Sequence, residues 1–368
     1  MTHPVVYKIL VISDYRAVGS ARPEAEIFIR LAGLGHFIDI VSYPEAREYN
    51  ERFKQNGIGV IEAHPDKKFS KPFIQMLRER VVTEQYDFVH AFNSKGLTNA
   101  IRALKGLNTK LIAYRGYAGQ TKWYDPTMYF KYFHPRVDHI ICVSEDIRRI
   151  MAANMPFRQY KLSTIPKGHD PAWYDGIVPV ERSTLGSTSD DILVCFLANV
   201  RPFKGLTYLL KATHLISTDV PFRFVFIGKG YDAPEVQQEI KASPFVSRIH
   251  VLGFRPDAIN VLAACDSLVQ VSTHGEGLSK SVLEAIFLGI PPIISDIPGN
   301  HGLIENGISG WVVPKKNASA IAHALTEMAG DPVERKRRGG KAKMHAHDQF
   351  HIDRTVEAYQ RLYDQLQK

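Results

Sequence analysis

Cysteine is scarce in this chain, with three in 368 residues, and the odd number and wide spacing exclude a disulfide framework and a cysteine-rich metal site. Cys142, Cys195 and Cys265 each lie in an apolar segment and are expected to be buried and reduced. Long hydrophobic runs are also missing. Nothing approaches the roughly 20 apolar residues needed to cross a bilayer, and the N-terminal run is too short and strand-like for a signal peptide. A cytoplasmic protein is expected. Nucleic acid is not expected as a partner, because the basic residues are dispersed and no recognition motif accompanies them. The net charge of +8 is nevertheless uneven: residues 1–170 hold 25 Lys and Arg against 17 Asp and Glu, whereas residues 171–368 hold 21 of each. The first half therefore suits an anionic partner or membrane surface, or else carries a solvated basic face.

The length favours two domains, and two halves of the chain repeat one grammar. In the first, apolar runs at 6–13, 37–42, 88–92, 110–114 and 139–144 read as strands, and residues 24–36 follow a turn at Gly19 with helical period. The region 166–191, rich in Gly, Pro, Ser and Asp, interrupts the rhythm as a linker would. Runs at 191–199, 222–228, 248–253, 267–272 and 291–295 then restart it. Continuous apolar strands separated by helices indicate parallel sheets covered on both faces, so the fold class is α/β with two Rossmann-like doubly wound domains facing a cleft. Ligands of such sheets bind outside the carboxyl ends of the strands. The chain closes with a helical stripe of Val356, Tyr359, Leu362, Tyr363 and Leu366 that needs a docking surface.

Glu276 and Glu284 are eight residues apart around an expected helix start. Eight helical steps return to one face, offset by about 12 Å, a length that two hydroxyl-rich groups joined by a diphosphate would span. The amides of Gly277, Leu278, Ser279 and Lys280 would seat the phosphates at a helix N-terminus. Arg201 and Lys204 fall in the turn after the second half's first strand, where two cations and helix amides would neutralise a diphosphate; the plainer alternative is a surface turn with incidental charge. His274 beside the Glu276 turn, Ser20 beside Gly19, and Asp170 are weaker candidates. The aromatic segment 116–135 suits sugar stacking, a membrane interface or a core flap.

Taken in order, AsnValArgProPheLysGly (199–205), PheIleGlyLysGly (226–230), ValLeuGlyPheArgProAsp (251–257), GluGlyLeuSerLysSerValLeuGluAla (276–285) and GlyIleProProIleIleSerAspIleProGlyAsn (289–300) resemble the retaining GT-B glycosyltransferases of family 4. Weaker traces, including IleProLysGlyHisAsp at 165–170, cover the first half. The resemblance implies an acceptor-binding domain over 1–172 completed by the helix 350–368, a linker at 173–190, and a nucleotide-sugar-binding domain over 191–349. It implies that Arg201, Lys204 and Glu276 act in catalysis, the two cations on the donor diphosphate and the acid at the donor sugar. Glu284 would bind ribose hydroxyls, Gly277, Leu278 and Ser279 would offer amides, and Gly228, Phe254 and Arg255 would border the base. Gly19, Arg115 and His169 are the acceptor-side candidates. Arg115 stands where many relatives carry a histidine, and an arginine cannot serve as a base at neutral pH.

The expected reaction is retaining transfer of a sugar from a nucleoside-diphosphate sugar to a glycan or lipid-linked acceptor, in cell-envelope polysaccharide or lipopolysaccharide synthesis. No metal and no cofactor are expected, and peripheral association with the inner membrane face accompanies the lipid-linked acceptor. A sugar-nucleotide epimerase of the same fold and a non-catalytic sugar-nucleotide-binding protein remain the alternatives.

Overall fold

The computed structural model describes residues 5–119, 121–188 and 190–368. These form two compact units, Met1–Gly168 with Ile352–Lys368, and His169–His351. The first unit holds strands β1 (Lys8–Ile12), β2 (Phe37–Val41), β3 (Gly59–Ile61), β4 (Phe88–Ala91), β5 (Lys110–Arg115), β6 (His139–Cys142) and β7 (Leu162–Thr164). They build one parallel sheet in the order β3-β2-β1-β4-β5-β6-β7. The second unit holds β8 (Ile192–Leu197), β9 (Phe222–Ile227), β10 (Ile249–Gly253), β11 (Ser267–Gln270), β12 (Pro292–Asp296) and β13 (Trp311–Pro314). Its sheet is also parallel, ordered β10-β9-β8-β11-β12-β13.

In both sheets the first strand lies inside, and the order reverses beside it. This doubly wound arrangement opens a crevice at the carboxyl end of that strand, between β1 and β4 in one unit and between β8 and β11 in the other. The pleat explains the hydrophobic runs. In the second unit Phe222, Phe224 and Phe226 enter one core cluster, while Val225 and Ile227 enter another on the opposite face. Helix Leu206–Thr213 covers the first cluster, and helix Lys280–Leu288 the second. Truncating a fully buried ring such as Phe224 to Ala would cost about 3–5 kcal/mol.

Helix Ile352–Gln367 completes the first unit. Tyr359 stacks on His90 at 5.7 Å, and Tyr363 meets Phe88 at 4.7 Å and Tyr7 at 5.9 Å. The stripe read from the sequence is the face these rings occupy, and Thr355 extends it by donating to Pro166 O at 2.9 Å. The stretch expected as a linker, 173–190, instead packs on the second unit among its described residues: Tyr174 and Leu185 are buried in its core. Residue 189 lies outside the described residues. The apolar side chains that anchor this stretch are isolated among polar ones, which is why composition alone reads it as loose. Strands β3, β7 and β13 were not among the expected strands; each is three or four residues long and sits at a sheet edge, too short to make an apolar run. All three cysteines are free and buried.

Candidate active site

The crevice of the second unit is built by the loops after β8 and β11. The chain leaves β8 through Asn199 and Val200, makes a short 3-10 turn at Pro202–Lys204, and enters helix Leu206–Thr213 through Gly205. Gly205 has φ of 84°, and a Cβ there would sit 2.0 Å from the Val271 carbonyl oxygen. Only glycine lets this turn close against the loop after β11. The two loops are then tied by Thr273 N–H donating to Phe203 O at 2.7 Å and by the Phe203 and His274 rings at 5.5 Å.

This contact delivers Lys204 to Glu276, with Nζ 2.7 Å from Oε1. The same oxygen accepts from Gln270 Nε2 at 2.8 Å and Ser272 Oγ at 2.7 Å. Glu276 is 8% exposed, so its charge is held by three donors rather than by bulk water. All three fall on Oε1; Oε2 has no hydrogen-bond partner among the described residues. Behind the acid, Asn300 donates to Ser295 O at 2.9 Å, and a Cβ on Gly299 would meet the Glu276 carbonyl oxygen at 2.3 Å. Gln270, Ser272, Asn300 and Gly299 were not among the sequence candidates. Their signal was polar residues closing an otherwise apolar run, which reads equally well as the end of a strand.

The eight-residue helical spacing of Glu276 and Glu284 is corrected by the structure. The helix begins at Lys280, with Ser279 at its N-cap, and Glu276 stands four residues before it in a loop turned by Gly275 at φ 81°. Glu284 lies in the second turn, buried and ion-paired with Lys280. Gly277, Leu278 and Ser279 form the approach to the helix. Ser279 makes no side-chain capping bond, so the first-turn amides are left without an intrahelical or N-cap acceptor. Gly289, at φ 78°, ends the helix in the left-handed conformation.

Gly228 follows β9 with φ of 143°, and a Cβ there would clash with Ala198 O at 2.1 Å. Its amide donates to Gly253 O at 2.8 Å, and Lys229 N donates to Asn199 Oδ1 at 2.9 Å, so the loops after β8, β9 and β10 are laced together. Phe254 is exposed with Lys229 Nζ 5.1 Å from its ring centre, while Arg255 is paired bidentately with Asp257. Arg201 is exposed, and its side chain has no ion-pair partner among the described residues. The structure therefore gathers Lys204, Glu276, Ser279, Glu284 and Gly228 at one end of one sheet, with Arg201 and Phe254 at its rim.

The first-unit candidates do not converge in this way. Gly19 is the second residue of helix Val18–Gly33 rather than part of a turn, and a Cβ there would meet nothing within 4 Å. Arg115 ends β5 and holds the following loop: Nη2 donates to Gly119 O at 2.6 Å and Thr121 Oγ1 at 3.1 Å, with the guanidinium 5.0 Å from the Tyr132 ring. His169 is buried in the second unit, with Nδ1 2.5 Å from Tyr174 Oη and its ring stacked on Phe287. It is a packing residue, not a strand-end group. The loops that follow β1, β3 and β4 carry Asp14, His64 and Asn93 instead. Asn93 Nδ2 donates to His64 Nε2 at 2.9 Å, and His64 stacks on Tyr43 at 4.2 Å. Burial lowers the His64 pKa to about 4, so the ring is neutral near pH 7.

Two parallel doubly wound sheets, one carrying an acid, a lysine and a helix N-terminus at its switch point, are the architecture of the GT-B class. Known families agree: the model for glycosyl transferases group 1 matches residues 178–345, and that for glycosyltransferase family 4 matches residues 25–173. The chain belongs to this family of glycosyltransferases. It is 27% identical over 270 residues to the Escherichia coli UDP-Gal:alpha-D-GlcNAc-diphosphoundecaprenol alpha-1,3-galactosyltransferase, covering 68% of each chain. It is 24% identical over 177 residues to the Bacillus anthracis N-acetyl-alpha-D-glucosaminyl L-malate synthase, covering 48% of this chain and only 46% of that enzyme. Among solved structures, Anabaena HepE in complex with UDP superposes with a TM-score of 0.83 at 17% identity, covering 98% of this chain and 100% of the other, a likeness of fold.

Proposed function

We propose that this glycosyltransferase moves a sugar, with retention at the anomeric carbon, from a nucleoside-diphosphate sugar to a glycan or lipid-linked acceptor in cell-envelope polysaccharide or lipopolysaccharide synthesis. The observation that carries the reading is Glu276: three donors fix Oε1, while Oε2 is left for a substrate hydroxyl beside the amides that open helix Lys280–Leu288. In this reading Arg201 and Lys204 neutralise the diphosphate as the glycosidic bond breaks, the task a divalent metal performs elsewhere. Glu276 holds the donor sugar and Glu284 the ribose. Departure and attack share one face, and the leaving phosphate oxygen takes the acceptor hydroxyl's proton. The glycan or lipid-linked acceptor is suggested by the diphosphoundecaprenol-linked substrate in the name of the Escherichia coli relative.

The test is a thermal-shift screen with UDP, GDP and ADP, followed by transfer assays with the nucleotide that binds. UDP is the first probe, because the Anabaena structure holds it. One nucleoside diphosphate should raise the melting temperature, and transfer should persist in excess chelator. If none raises it, the donor site is misassigned; if chelator abolishes transfer, the metal-independent reading is wrong.

A further inference from the structure

Most rings of the first unit's aromatic segment stay out of the core. Trp123, Tyr124, Tyr129 and Phe130 are each at least half exposed, and the adjoining 3-10 turn Pro156–Lys161 adds Phe157 and Tyr160, which are exposed further still. These two segments are one surface. Trp123 N–H donates to Asn154 Oδ1 at 2.8 Å, and Arg158 Nη1 donates to Phe133 O at 3.0 Å. Only part of the segment is buried: Met128, Tyr132 and Phe133 anchor it, and Tyr129 packs edge-on against Phe133. Six large aromatic side chains in water on adjoining turns is an unfavourable surface unless something covers it.

The charge around the rings indicates what does. Lys131 is half-buried and Lys68 exposed; burial first, and the nearby charges of Lys68 and Arg115 second, disfavour the charge of Lys131, with Asp125 opposing them. Arg102 stacks over the exposed Phe69 ring at 3.9 Å, and Lys122 Nζ stands 5.4 Å from the Tyr124 ring centre. Cations gathered beside exposed Trp, Tyr and Phe match the two layers of an anionic bilayer surface, headgroup charge outside and acyl boundary beneath. The net positive charge of residues 1–170 has the same sign.

We propose that the 122–131 and 156–161 segments form a membrane-docking face that seats the first unit on an anionic lipid bilayer, with Trp123 and Phe157 inserted and Lys68 and Lys131 held at the headgroups. The proposal deepens the lipid-linked reading by giving the enzyme a place to meet its acceptor. It is tested without donor or acceptor, so its failure is separable from failure of that reading.

The experiment is co-sedimentation of the full chain with phosphatidylcholine vesicles and with phosphatidylcholine–phosphatidylglycerol vesicles, read together with tryptophan emission. The chain should pellet with the anionic vesicles, remain largely in solution with the neutral ones, and show a blue shift that Trp123→Ser removes. Lys68→Gln with Lys131→Gln should weaken partitioning at least tenfold, since each cation near such a surface contributes about fivefold. Trp123→Ser with Phe157→Ser should weaken it as much, with the ligand-free melting temperature and far-UV circular dichroism unchanged in both variants as the check on folding. Equal pelleting with both vesicle types, pelleting that the aromatic and lysine variants leave intact, or no pelleting with either overturns the proposal. The last result would leave a soluble anionic glycan or protein to cover the face.

Discussion

The two crevices at the switch points share strand order but not construction. In the second unit the loops are pressed together backbone to backbone, with Gly205 against Val271, Gly228 against Ala198 and Gly299 against Glu276 leaving no room for a Cβ. In the first unit Gly19 faces open space, and side chains such as His64, Asn93 and Arg115 shape the loops. A site made of backbone suits a ligand part that never changes, and a site made of side chains suits one that does. This is the division that the function proposed above calls for, with the donor diphosphate on the second unit and a variable acceptor on the first.

The comparison breaks most visibly at Glu276. Glu276→Ala should lower the transfer rate about 10²–10³-fold while nucleoside diphosphate still shifts the melting temperature; steady-state transfer and thermal shift on the same preparation decide it, and unchanged turnover would remove the acid from the chemistry. Next come two glycines that should behave oppositely. Gly205→Ala should destabilise the protein by about 2–4 kcal/mol through backbone strain and overpacking, whereas Gly19→Ala should be neutral or stabilise it by up to about 1 kcal/mol. Urea unfolding of the pair measures this.

Acid should separate the units. Burial lowers the pKa of His64 and His139 to about 4 and that of His90 to about 3, all three in the first unit. Each is neutral when folded and has an ordinary pKa near 6.5 when unfolded, so the unfolded chain takes up protons first as pH falls. The stability they contribute is present above about pH 6.5 and is lost between there and about pH 4 for His64 and His139 and about pH 3 for His90, by about 2 kcal/mol per histidine at pH 5. Hydrogen exchange at pH 7 and pH 5 should show the first unit losing protection ahead of the second. The smallest effect is expected at Arg115: Arg115→Lys keeps the charge but loses the fork that holds Gly119 and Thr121, raising the acceptor KM about three- to tenfold with donor affinity unchanged.

Much of this could be read before folding, for identifiable reasons. Each inner strand is a continuous apolar run because both faces of a parallel sheet are covered, and Lys204 and Glu276 stood out as polar groups just past such runs. What escaped was set by tertiary contact. The helix start at Lys280 depends on the loop turned by Gly275 rather than on periodicity, and the donors Gln270 and Ser272 are inconspicuous until Glu276 folds back on them. Leu185 looks solitary in sequence but fills a core, and His169, within a motif-like run, is consumed by its stack on Phe287.

The crossing of the chain between units also has a temporal side. Every residue of the second unit has emerged from a ribosome once His351 is clear, whereas the first unit still lacks Tyr359 and Tyr363, the rings that pack on His90 and Phe88. The half made first is therefore finished last. Until then the β4 residues Phe88 and His90 lack their covering rings, and apolar surface left open in this way is prone to aggregation.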